Sequence, residues 1–292
     1  MTVKLLRRLD DALFGPETAT RMLVVWTGLA VLIGLRVALG PYWQLADQPP
    51  ALFRPVPFLR VLDSMPALGV IVAIQIAGTA FAVASAFGWR RRLMFVLAWL
   101  CFLLLAGMRA SRGKILHNDV LLIFASVPFL AAPDDARFGD EKPSARFGWP
   151  VRTALAIVAL SYFLTGYWKL RNSGLDWVTS DNLRWALWWG PVTAEARVDS
   201  IAEFVAQRPW LSHLSAAAIL GFELTFPIVL FWRRMRPLYA VAAVFFHAGT
   251  FVLLGLDYWS YAAVAVLLLI DWPQVWVRLA PGRAPAPAAG SP

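Results

Sequence analysis

One cysteine, three histidines and little charge define what this 292-residue chain is not. Cys101 lies inside the apolar run MFVLAWLCFLLLAGM, so no intramolecular disulfide and no cysteine-based metal site can form. His117, His213 and His247 are scattered and lack the spacing of a metal centre on one helix, and no metal is expected. There is no phosphate loop, dinucleotide fingerprint, HExxH or GxSxG, which removes the common soluble-enzyme chemistries. Charged residues make up 15% of the chain against 59% apolar, with a mean hydropathy of +0.61. A soluble domain carries more charge than this. The chain therefore reads as all-α, a polytopic integral membrane helical bundle. Its net charge of +9 does not point to nucleic acid, because the arginines cluster beside apolar runs as the positive-inside rule expects.

About eight transmembrane helices are expected, at roughly 21–40, 66–88, 92–109, 115–132, 151–170, 211–232, 237–256 and 258–273. The fourth is the weakest, being short with Pro128 inside it. The Arg-rich turns at 89–92 and 232–236 and the polar loop 133–150 belong on the cytoplasmic side, which places both termini there. Residues 1–20 read as a cytoplasmic amphipathic lead-in rather than a signal peptide, 21–275 as the transmembrane domain, and 276–292 as a disordered Pro/Ala-rich tail. The plasma (cytoplasmic) membrane is the expected location, and the lipid bilayer the first partner.

The outer side of that topology also carries Arg109, Arg112, Lys114, Lys169, Arg171 and Arg184. Snorkelling to lipid phosphates is one reason for cations there. An outward-facing site that handles an anion is the other. Residues 171–210 form the long outer loop, with Trp177, Trp185, Trp188 and Trp189 and the amphipathic stretch 197–208. These tryptophans suit an interfacial belt or an apolar entry for a flat lipid-soluble ring. Ionisable residues inside the bilayer are costly and therefore functional candidates. Arg36 lies in the outer half of span one and His117 opens span four. Glu223 and His247 lie at equal depth on consecutive spans and are expected to pair, either as a helix-pinning contact or as part of a site. Asn118 and Asp119 read as N-caps of span four, and His213 as interfacial.

Lys169 closes the apolar run from Val151 to Trp168, about 27 Å of helix at ~1.5 Å per residue. Tyr162, Thr165 and Lys169 share one helical face. Lys169 is then either a snorkelling anchor or a partly desolvated amine, and a neutral amine is a usable base.

The segment YFLTGYWKLRNSGLDWV (162–178) resembles the catalytic-lysine segment of vitamin K-dependent gamma-glutamyl carboxylase. KILHNDVLLI (114–123) is similar to that family's histidine-containing helix start, and FFHAGTFVLLGLDYWSYAAVAV (245–266) to its later segment. The three occur in the family's order, and with the multi-span frame they mark a resemblance to the HTTM domain family. The resemblance implies that Lys169 deprotonates a reduced quinone of the vitamin K or menaquinol type, with His117 near the reacting centre. Arg109, Arg36 and Tyr162 would lend cationic and polar support. It also implies a peptide or protein glutamate as possible substrate. The animal carboxylase continues into a large extracytoplasmic region that binds its substrate; nothing comparable follows span eight here, so quinone chemistry is the firmer expectation. The alternative within the same family is a non-catalytic membrane partner or an export or immunity component.

Overall fold

The computed structural model describes residues 10–113, 117–192 and 198–279, with side chains for all of these except 190–192 and 276–279. Lys114, most of the 1–20 lead-in's first half and the tail beyond 279 lie outside the described residues. The fold is all-helical, and among the described residues the only β pairing is an isolated antiparallel bridge between Glu17 and Ser144. After a helical turn at 10–14 the helices are α1 (Ala19–Leu39), α2 (Leu68–Ala86), α3 (Arg91–Ala110), α4 (Val120–Ser126) and α5 (Ala145–Ser173). There follow α6 (Asp176–Thr179), α7 (Asn182–Val192), α8 (Asp199–Ala206), α9 (Pro209–Thr225) and α10 (Ile228–Phe231). The last three are α11 (Arg236–Leu254), α12 (Trp259–Leu269) and α13 (Trp272–Leu279), so the first residues of the expected 276–292 tail are helical.

All eight apolar stretches contain helix, but among the described residues only five helices are long and apolar enough to cross a membrane. They are Ala19–Leu39, Leu68–Ala86, Arg91–Ala110, Ala145–Ser173 and Arg233–Leu254. The fourth stretch is shorter than expected. Its α-helix stops at Ser126, and Pro128 sits in a 3-10 segment, Val127–Ala131. A proline lacks the N–H that would continue the α ladder. Pro227 likewise divides the sixth stretch, separating α9 from α10. The fifth runs past the expected 151–170. Ser144 caps it by accepting from the Arg146 amide, Pro150 lies inside it one turn past the tolerated first positions and leaves the Arg146 carbonyl without its ladder donor, and Gly174 ends it at φ +58°.

α1 is the centre of the bundle and packs on α2, α3, α5 and α12. Trp26 is fully buried, edge-on to Phe95 at 5.9 Å and tilted against Phe129 at 6.1 Å. Small residues let the helices close, the principle that replaces a hydrophobic drive inside lipid. A Cβ at Gly78 would sit 2.8 Å from the Cβ of Cys101, which fixes α2 on α3 and leaves the cysteine as packing. Between 171 and 210 the expected loop is mostly helix. In α8, Ala202 and Ala206 face the bundle while Ile201 and Phe204 are exposed, and that outward apolar face suits an interfacial helix.

Candidate functional site

α5 positions the site. Tyr162, Thr165, Gly166 and Lys169 follow at three- and four-residue spacing and line one face. Gly166 lets α9 come close: a Cβ there would meet Glu223 Cβ at 2.9 Å and the Leu224 side chain at 3.2 Å. The approach carries the Glu223 carboxylate to the lysine. Lys169 Nζ donates to Glu223 Oε1 at 2.6 Å and to Oε2 at 2.8 Å. Glu223 is 2% exposed and the lysine side chain 23%, so the carboxylate is buried while the amine reaches open space. The Trp177 ring stands 4.5 Å from Nζ, within cation–π range.

About two turns further into the bundle, the Tyr162 hydroxyl and His247 Nε2 share a hydrogen bond of 2.6 Å. His247 Nδ1 has no partner among the described residues. Tyr162 stacks on Phe226 at 4.3 Å and stands edge-on to Phe222 at 5.3 Å, which fixes its ring. The expected Glu223–His247 bond is thus replaced by two others, Glu223 to Lys169 and His247 to Tyr162. Equal depth on neighbouring helices sets height, not the direction a side chain points around the axis. Gly166 decides that direction by drawing α9 onto α5.

These groups open on one cavity of about 550 Å³, whose wall includes His117, Tyr162, Lys169, Trp177, Glu223 and His247, with Tyr258 and Tyr261. His117 enters from a tied-down loop. Asn118 Nδ2 donates to the Asp257 carbonyl at 2.6 Å, Ser260 Oγ to the Asn118 carbonyl at 3.0 Å, and the Tyr261 hydroxyl to the His117 carbonyl.

No family model, no curated protein and no solved structure matches this chain.

Arg36 and Arg109 do not reach the cavity. Arg36 Nε donates to Asp119 Oδ1 at 2.7 Å and its Nη1 to Asp257 Oδ2 at 2.8 Å, while Arg109 Nη1 lies 3.7 Å from Asp119 Oδ2. Two carboxylates neutralise the two guanidiniums, so neither is free to meet an anion. Asp119, expected as a helix cap, makes no side-chain bond to the start of α4 and serves as the arginines' counter-ion instead. Arg184 ties α7 to α8 through the Ala206 carbonyl at 2.9 Å, and Arg171 lies over the Trp168 ring at 5.8 Å. His213 does not line the cavity. Glu223 as the lysine's partner, and Tyr258 and Tyr261 as wall residues, were not legible as such. The only signal for the tyrosines was the aromatic run DYWSY after α11.

Proposed function

We propose that the chain is a multi-pass protein of the plasma membrane that binds a reduced quinone and moves a proton at Lys169, a carboxylase-like oxidoreductase resembling the HTTM domain family. One observation carries the reading: Lys169, His117, Glu223, Tyr162 and His247, distant in sequence, line one cavity. The cavity fits a flat ring bearing hydroxyls. Its walls are mostly aromatic and aliphatic, and its polar atoms converge from two sides. A second, apolar cavity of about 400 Å³ shares Leu183, Ile219, Phe246, Thr250 and Leu254 with it and offers room for a lipid tail.

A bound quinol supplies reducing equivalents and an ionisable ring hydroxyl; the rest falls to the protein. The Lys169–Glu223 pair is a proton relay. Nζ passes one proton to the carboxylate and takes one from the hydroxyl, ending as an ammonium beside the new oxyanion. Glu223 is the final proton acceptor, and the positive charge on Nζ stabilises the oxyanion across a short gap. The partnerless His247 Nδ1 and the Tyr258 hydroxyl orient the ligand's far side. In this reading the bundle has eight membrane segments, three of them short and sheltered by neighbours. Both termini are cytoplasmic and the cavity faces outward. A peptide or protein glutamate remains the substrate proposed by resemblance.

A second reading has its own observation. The Lys169–Glu223 pair joins α5 to α9 across the Gly166 contact, as a helix-pinning ion pair would. The chain would then be a non-catalytic partner or export component. Lys169→Arg separates the two, since guanidinium holds the charge and the ion pair but never yields a proton. The test is mass spectrometry of lipids extracted from purified protein, followed by quinol turnover of both forms. The relay expects a co-purifying quinone and an inserted, folded, inactive variant. A quinone-free extract, or a fully active Lys169→Arg protein, sinks it.

A further inference from the structure

The other end of the bundle carries a separate cluster of charge. Arg152 precedes Lys169 on α5 by roughly 26 Å of helix at ~1.5 Å per residue. Glu17 is its hub. The carboxylate lies 2.7 Å from Arg152 Nε, 2.9 Å from Arg233 Nη2 and 3.3 Å from Arg21 Nη1. The backbone bridge between Glu17 and Ser144 holds the hub against the start of α5. Arg21 Nη1 also meets Asp271 Oδ2 at 3.2 Å. Arg236, 3% exposed, donates Nε to the Val229 carbonyl at 3.0 Å, and its Nη2 has no partner among the described residues.

A cleft of about 580 Å³ opens beside this cluster. Arg152, Arg233 and Asp11 form its polar wall, and Ile228, Phe231 and Trp232 its apolar one. Phe231 and Trp232 are exposed, an aromatic rim of the kind that sits at headgroup level. Among the described residues, four guanidiniums (Arg21, Arg152, Arg233, Arg236) stand in this cluster against three carboxylates, Glu17 and Asp271 in ion pairs and Asp11 in the cleft wall, a surplus of one positive charge.

We propose that this cleft binds the phosphodiester headgroup of an anionic phospholipid. Arg152 and Arg233 face the phosphate oxygens, and an acyl chain leaves along Ile228, Phe231 and Trp232. The charge matches, because a phosphodiester carries one negative charge and the cluster lacks one. Guanidinium presents paired donors in the geometry of phosphate oxygens. A free phosphate carries about −1.5 to −2 at neutral pH and has no use for the apolar wall. A zwitterionic lipid brings a cation that the cluster's surplus charge repels.

Native mass spectrometry of the full chain from micelles doped equally with phosphatidylglycerol and phosphatidylcholine tests this. Phosphatidylglycerol adducts should exceed phosphatidylcholine adducts by about fivefold or more, the effect of one basic residue near a membrane surface. Arg233→Gln, at a half-exposed side chain, should reduce that preference by about the same factor. Asp11→Asn, at an exposed position, should raise it, which gives a readout even where the arginine variant folds poorly. Equal retention of the two lipids, or a preference indifferent to both variants, overturns the proposal. Displacement of the lipid by millimolar inorganic phosphate reassigns the site to a free anion and also overturns it.

Discussion

Removing the Lys169 amine should cost more than removing its partner, and the asymmetry can be worked from the geometry. Lys169→Met strands a carboxylate that is 2% exposed and whose two oxygens both accept from Nζ. Leaving one half of a buried pair alone costs about 3–5 kcal/mol. Glu223→Met strands an ammonium that is 23% exposed and still lies 4.5 Å from the Trp177 ring. An amine that reaches open space and an aromatic face should lose about 1–3 kcal/mol. The double change replaces the pair with two thioethers that pack, and it should come close to the wild type. The assay is a double-mutant cycle by SDS titration in mixed micelles, which yields an equilibrium free energy where thermal scans of membrane proteins run irreversibly. Two single costs that simply add in the double variant refute the pair. Equal single costs refute the burial argument.

Four further outcomes follow from the same geometry. Tyr162→Phe leaves both nitrogens of His247 without partners and should destabilise by about 1–3 kcal/mol in the same titration, with Tyr162→Phe/His247→Leu recovering most of the loss. Arg36→Met strands the buried Asp119 carboxylate, with Arg109 at 3.7 Å its remaining partner among the described residues, so it should cost about 3–5 kcal/mol and loosen the loop that holds His117, read as faster hydrogen exchange at 117–121. Gly166→Ala places a methyl 2.9 Å from Glu223 Cβ and should cost about 1–3 kcal/mol while shifting α9 away from Lys169; unchanged quinol turnover in that variant counts against the relay. In a Cys101→Ser background, a cysteine at position 180 should label from outside intact cells; labelling only after permeabilisation reverses the proposed orientation.

Several parts of this arrangement were legible in the linear chain. Tyr162 and Lys169 lie on one helix, so their shared face follows from 3.6 residues per turn. Lys169 stood out because it ends an apolar run, and His117 because it precedes one. Glu223 and His247 stood out as ionisable groups where lipid disfavours them. Each is a local property of a residue and its neighbours. The pairing of these residues was not legible. Equal depth suggested Glu223 with His247, whereas the close contact at Gly166 turns Glu223 to Lys169, 54 residues earlier, and leaves His247 to Tyr162, 85 residues earlier. The cationic roles expected of Arg36 and Arg109 failed for a related reason. Asp119 reads as a helix cap in the sequence and Asp257 sits in a short connection, and they become counter-ions only when α1, α3, α4 and the turn before α12 meet.

The sequence by itself determined the class, a helical protein of the membrane, because hydropathy sums over about twenty consecutive residues and needs no knowledge of what packs where. The early end of the fourth helix at Ser126 was likewise foreshadowed by Pro128, since a missing N–H acts within one turn, whereas the break at Pro227 inside the expected 211–232 span was not read. Only the tertiary structure decided which charges neutralise each other and which are left facing a cavity. An ion pair forms over less than 4 Å, and that distance is set by how closely two helices approach and how each is rotated. For the Lys169–Glu223 pair Gly166 controls both, one turn before the lysine on α5 and far in sequence from the carboxylate it draws in.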